Sequence, residues 1–143
     1  MDGTDRTAEL TEAACADDGL RSVLRLSLLS GLGPRTLTAL METFGSAERI
    51  LTASESELAR VQGVGPKLVH RIRTASDFVD TDSVMRWCAD NQCTILRRDR
   101  SGYPAPLEDL HDTPPILFSR GQVLAQDELA VAIVGTRHAT AYG

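Results

Sequence analysis

Aromatic residues are scarce in this 143-residue chain, at 4% of the total. Any core must therefore be built mainly of Leu, Val, Ile and Ala. No apolar run approaches the ~20 residues that a membrane span requires. The first residues are acidic and polar and lack the apolar stretch of a signal peptide. The expectation is a cytoplasmic protein with no membrane partner. Cysteine is also sparse. Cys15, Cys88 and Cys93 cannot all pair with one another. Cys88 and Cys93 have no second Cys pair or His cluster to complete a zinc site. Reduced, partly buried thiols are expected, with no metal and no cofactor.

An excess of basic charge is missing too. The formal net charge is −5, which at first argues against a nucleic-acid partner. Its distribution removes the objection. Residues 1–18 carry Asp2, Asp5, Glu9, Glu12, Asp17 and Asp18 against Arg6 alone, and the rest of the chain is neutral. Residues 60–76 hold Arg60, Lys67, Arg71 and Arg73 and no acid. A phosphate backbone responds to local charge within a Debye length of ~8–10 Å, not to the total. A solvated helix face would show the same cluster.

Residues 1–19 lack apolar periodicity and read as a disordered acidic tail. Leu20, Val23, Leu24, Leu26 and Leu28 then suit a mostly buried helix ending near Ser30. Gly31-Leu32-Gly33-Pro34 breaks it, and Pro34 suits the first position of a new helix. That helix runs through Leu37, Leu40 and Met41 to Gly45. Ser46 can cap a short helix with Ile50 and Leu51. Ser54 can cap another, with Glu57 completing a capping box. Gly63-Val64-Gly65-Pro66 repeats the break, and Leu68, Val69 and Ile72 follow on a further helix. The repeat implies two stacked copies of one unit over residues 20–80. Residues 81–143 begin with a helix capped by Asp80 or Thr81, through Val84, Met85, Trp87 and Cys88. Short strands are expected at Thr94–Leu96 and Ile116–Phe118, around a polar, proline-rich stretch. Leu129–Val134 reads as a third strand, apolar enough to be covered on both faces. Such a strand needs neighbours, so the sheet is expected to be completed beyond Gly143, and the chain is read as a fragment.

The glycine breaks carry the clearest chemistry. Gly-apolar-Gly between helices allows a tight turn and close approach. It leaves free N–H groups at the positive end of the second helix, an arrangement suited to a phosphate. Gly31, Gly33 and Arg35 form one such constellation. Gly63, Gly65, Lys67 and Arg71 form the other. The pattern resembles the paired helix-hairpin-helix of DNA-binding proteins, although a structural pair that binds nothing would look similar. At the other end, the strand leads into Gly135-Thr136-Arg137. Gly135 permits close approach, Thr136 and Thr140 can donate to phosphate oxygens, and Arg137 can grip one with two N–H groups. Tyr142 could stack on a base or pack in a core. Asp99, Glu108, Asp109 and Asp112 read as solvent-facing loop acids. No catalytic constellation is visible.

The hairpin pair is followed by Tyr103-Pro104-Ala105-Pro106-Leu107, then by Pro114-Pro115-Ile116-Leu117-Phe118-Ser119-Arg120-Gly121. An apolar strand then enters Gly135-Thr136-Arg137-His138-Ala139-Thr140-Ala141-Tyr142-Gly143. In this order the motifs resemble the DNA-processing protein A (DprA/Smf) family. The resemblance implies a mixed α+β or α/β chain. A small helical module would precede the N-terminal portion of a Rossmann-like domain. It implies a non-catalytic recombination mediator that protects single-stranded DNA during natural transformation and helps load a RecA-type recombinase. It places Gly135, Thr136, Arg137, Thr140, Tyr142 and Gly143 at or beside the single-strand site, and it implies a homodimer for the full-length protein. Two enzyme readings compete. A repair glycosylase or nuclease could use the hairpins as its DNA clamp, but no Asp follows the second hairpin before Asp77. A nucleotide-processing enzyme on a Rossmann-like fold would need acid and base residues beyond Gly143.

Overall fold

The computed structural model describes residues 18–129 and 131. The acidic tail before Asp18 and the segment 132–143 lie outside the described residues. Among them are the expected site residues Gly135, Thr136, Arg137, Thr140, Tyr142 and Gly143.

Among the described residues seven helices come first: α1 (Asp18–Ser27), α2 (Pro34–Phe44), α3 (Ala47–Thr52), α4 (Glu55–Leu58), α5 (Pro66–Arg73), α6 (Ala75–Phe78) and α7 (Thr81–Asp90). Strand β1 (Cys93–Arg97), a single helical turn α8 (Ala105–Glu108), strand β2 (Ile116–Arg120) and a 3-10 turn (Ala125–Leu129) complete the described chain. Local chemistry accounts for most of the boundaries. Ser46 accepts from the Arg49 N–H at the start of α3. At α4 the Ser54 hydroxyl accepts from the Glu57 N–H while the Glu57 carboxylate accepts from the Ser54 N–H, a complete capping box. Asp80 caps α7 through the Ser83 N–H. Gly45 ends α2 in the left-handed conformation at φ 80°, its N–H donating to the Met41 carbonyl.

The core is aliphatic, as the shortage of aromatic residues requires. Leu24, Leu26, Leu40, Ile50, Leu58 and Ile72 are its largest fully buried side chains. One continuous cluster runs from Leu20 on α1 to Met85 on α7 and Ile116 on β2. Helix α1 is central, packing against α2, α3, α6, α7 and β2. The two strands pair antiparallel, Cys93 opposite Arg120 and Arg97 opposite Ile116, and β1 also packs on α7.

Three sequence expectations need correction. Trp87, expected among the apolar positions of α7, is 56% exposed, whereas Met85 and Cys88 point inward. Leu28 is likewise exposed, because α1 ends at Ser27 and the chain turns there. Leu129 closes the 3-10 turn instead of opening a strand, and Val131 is exposed coil; the remainder of the expected strand lies outside the described residues. Cys88 and Cys93 are buried, free thiols. Burial first, and the neighbouring Cys93 second, push the Cys88 thiol up to about 11. Among the described residues no helix is long and apolar enough to cross a membrane.

The cap carboxylates make stability depend on acid. Ser83 holds Asp80 below the ordinary carboxylate range, chiefly through its hydroxyl, and Ser54 does the same to Glu57. A pKa lowered on folding contributes stability that is complete above the unfolded value. That contribution is lost as pH falls through the folded value. Thermal melts between pH 6 and pH 2 should show a falling midpoint, and Asp80→Asn should flatten that acid limb. An unchanged limb in the variant would show that the cap charge contributes nothing.

Candidate nucleic-acid interface

The two glycine turns are built alike. In the first, the Leu32 N–H donates to the Leu29 carbonyl at 3.1 Å, and the Leu37 N–H donates to Gly33 at 3.0 Å. In the second, Val64 donates to Val61 at 3.1 Å and Val69 to Gly65 at 3.0 Å. Leu32 and Val64 are both buried, so the apolar residue between the glycines tucks inward as expected. Each second helix begins with a proline at its first position and a glycine cap. Neither cap offers a side chain to the first-turn N–H groups.

Within each turn the two glycines differ. Gly31 and Gly63 have φ of 89° and 86°, a region in which a Cβ is strained. Each also faces the other hairpin. A methyl on Gly31 would lie 3.4 Å from a guanidinium nitrogen of Arg71, and one on Gly63 would lie 3.3 Å from the Thr36 hydroxyl. The first glycines therefore let the two hairpins close on each other. Gly33 and Gly65 have ordinary extended backbone, φ −79° and −88°, with nothing within 4 Å of an added Cβ. The fold does not demand glycine there. What glycine leaves at these positions is bare backbone and open space beside the helix start.

The cations divide in the same way. The Arg71 guanidinium donates to the Ser30 carbonyl, tying α5 to the first turn. Arg73 donates to the Ala53 carbonyl at 3.1 Å, holding the end of α3. Arg35 pairs with Asp112 at 3.1 Å. Lys67, one residue past Pro66, is exposed and makes no hydrogen bond or ion pair among the described residues. Arg60 and His70 are also exposed. Of the residues expected at the hairpins, then, Lys67 and Gly65 share an open surface, Arg71 is engaged in holding the module together, and Arg35 is engaged across to the later segment.

That later segment is stiffer than its composition suggests. The Tyr103 hydroxyl donates to the Pro114 carbonyl at 2.7 Å, joining the Tyr-Pro and Pro-Pro motifs. Thr113 is buried, and its hydroxyl lies 2.6 Å from the Leu110 carbonyl and 3.0 Å from that of Leu107. Arg97 forks onto Asp99 at 2.9 and 2.7 Å, which holds the Asp99 carboxyl below its ordinary range. All four acids read as solvent-facing are exposed. The pairing of Asp112 escapes a reading of the sequence because its partner, Arg35, lies 77 residues away.

Comparison with known proteins gives two adjoining matches. Residues 23–75 match the family described as SAM-like helix-hairpin-helix tandem, and residues 94–143 match DNA recombination-mediator protein A. Protein Smf of Synechocystis sp. is 27% identical over 124 residues, 84% of this chain and 31% of that protein. DNA ligase 1 of Pseudarthrobacter chlorophenolicus is 40% identical over 81 residues, 55% of this chain and 10% of the ligase. UvrABC system protein C of Corynebacterium diphtheriae is 45% identical over 47 residues, 33% of this chain and 7% of that protein. The chain thus spans less than a third of these relatives. No solved structure matches. The two family matches, in this order, bear out the resemblance to the DprA/Smf family.

Unequal roles for the glycines predict unequal costs. Gly63→Ala should lower stability by about 1–2 kcal/mol through left-handed strain and the close Thr36 contact. Gly65→Ala should cost only a few tenths of a kcal/mol, because the loss of a good helix cap is largely offset by the lower entropy of the unfolded chain. Chemical denaturation of both variants checks the ordering, and equal losses would contradict it.

Proposed function

We propose that this chain, a relative of the DprA/Smf family, contributes the DNA-backbone-binding part of a recombination mediator, with the second hairpin as its contact surface. One observation carries the proposal. Gly65 is a glycine the fold does not require, next to an open helix start and the exposed, unpartnered Lys67. A phosphate could approach that backbone closely, accept from the Lys67 backbone N–H and pair with the Lys67 ammonium. The absence of any acid in residues 60–76 keeps the local potential positive.

In the longer protein the resemblance adds a Rossmann-like domain, with Gly135, Thr136, Arg137, Thr140, Tyr142 and Gly143 toward single-stranded DNA. It also adds a RecA-type partner, a homodimer and a cytoplasmic setting. The proposed role needs no bond-making chemistry. The ligase and UvrC relatives favour DNA contact as the shared property, because their likeness is to the helix-hairpin-helix segment.

Phosphate contacts carry no base information. Lys67→Ala should therefore weaken DNA binding alike for all sequences and reduce the log–log salt dependence by about one unit. Its melting temperature should not move, because an exposed lysine contributes little to stability. Arg71→Ala should instead lower the melting temperature, since it removes the tie to Ser30. Fluorescence anisotropy across a salt series, with melts of the same samples, tests both. An unchanged affinity for Lys67→Ala at low salt would make the hairpin purely structural.

A further inference from the structure

The two hairpins are copies in sequence, yet only one leaves the cation after its proline unpaired among the described residues. Arg35 stands one residue after Pro34, as Lys67 stands one residue after Pro66. Lys67 faces solvent alone, while Arg35 Nε donates to Asp112 Oδ1 at 3.1 Å from 77 residues away. The covering extends beyond that ion pair. Leu32 and Pro34 of the first turn line a groove of about 210 Å³ together with Pro114, Pro115, Ile116 and Phe118. Strand β2 and the proline segment that leads into it therefore lie against the first hairpin. The second hairpin has no such cover among the described residues.

We propose that Asp112 acts as an internal stand-in for a phosphate at the first hairpin, so that the tandem grips a nucleic-acid backbone through the second hairpin alone until Asp112 is displaced. The inference rests on the DNA-binding role proposed above and adds its regulation. A carboxylate accepts the same charged N–H that a phosphate oxygen would. Its position is fixed by the chain around it. The adjacent Thr113 hydroxyl is tied to the Leu110 and Leu107 carbonyls, and Pro114 accepts from Tyr103. The carboxylate is thus presented by a stiff loop and does not depend on a chance side-chain conformation. The pair is also reversible. Arg35 and Asp112 keep 75% and 46% of their side-chain surface exposed, and ion pairs so exposed are held weakly. A nucleic acid already held at Lys67 brings phosphates to the module at high effective concentration. These compete for Arg35 and turn one contact into two.

The test uses the full 143-residue chain and a fluorescent oligonucleotide, offered single-stranded and as a duplex, in a salt series. Asp112→Asn keeps the shape and removes the charge. It should tighten binding about two- to fivefold at low salt, the scale of an exposed ion pair released, and steepen the salt dependence by about one unit. Adding Arg35→Ala to Asp112→Asn should cancel the gain. Arg35→Ala alone should cost less affinity than Lys67→Ala, because Asp112 competes for that cation in the unaltered chain. If Asp112→Asn leaves binding unchanged or weaker, or if Arg35→Ala alone costs as much as Lys67→Ala, the first hairpin is not covered and the inference is wrong. The Lys67 arm reports on the second hairpin by itself, so a failure of the DNA-binding role is distinguishable from a failure of the Asp112 cover.

Discussion

The described structure depends on one constraint, that the chain must reverse in the short segments before Pro34 and Pro66 while its backbone passes close to the other hairpin. Only a left-handed glycine satisfies both demands. Gly31 and Gly63 meet them, and the contacts across them are reciprocal. Arg71 of the second unit lies over Gly31, and Thr36 of the first lies over Gly63. Once the turns close, Leu32 and Val64 are buried and the starts of α2 and α5 are fixed. Leu24, Leu40, Ile50, Leu58 and Ile72 then meet in one aliphatic core.

The same closure separates structural cations from available ones. An arginine with five donors suits a carbonyl at a turn, and Arg71 and Arg73 are used in that way. Lys67, one residue into α5, is exposed and has no side-chain partner among the described residues. The surface proposed to contact DNA is therefore smaller than the basic cluster of residues 60–76. It consists of the bare Gly65 backbone and Lys67, with Arg60 and His70 exposed nearby in the chain. The acidic character of the whole chain does not oppose this, because its excess acids lie in residues 1–18.

The later segment extends the helical core and does not stand apart from it. Ile116 joins the core cluster, β2 packs on α1, and Asp112 reaches Arg35. The Tyr103–Pro114 hydrogen bond and the buried Thr113 give a proline-rich stretch the rigidity to do so. The two matched families thus meet along a shared surface, and one hairpin of the tandem lies within it.

Sequence alone determined the features that act within a few residues. Gly-apolar-Gly-Pro specified both turns, Ser46, Ser54 and Asp80 specified helix starts, and the ordered motifs carried the resemblance to the DprA/Smf family. Each depends on backbone geometry or capping that is complete within one turn of chain. Tertiary structure decided which charges are spent and which are free. Arg35 and Lys67 occupy equivalent places in the repeat, but the partner of Arg35 is Asp112, far along the chain. Trp87 and Met85 lie on one short helix, but Met85 is buried and Trp87 is exposed. Gly63 and Gly65 look interchangeable in a motif, yet only the packed neighbour and the sign of φ separate them. Such outcomes depend on what a side chain meets across space, which periodicity and spacing do not encode.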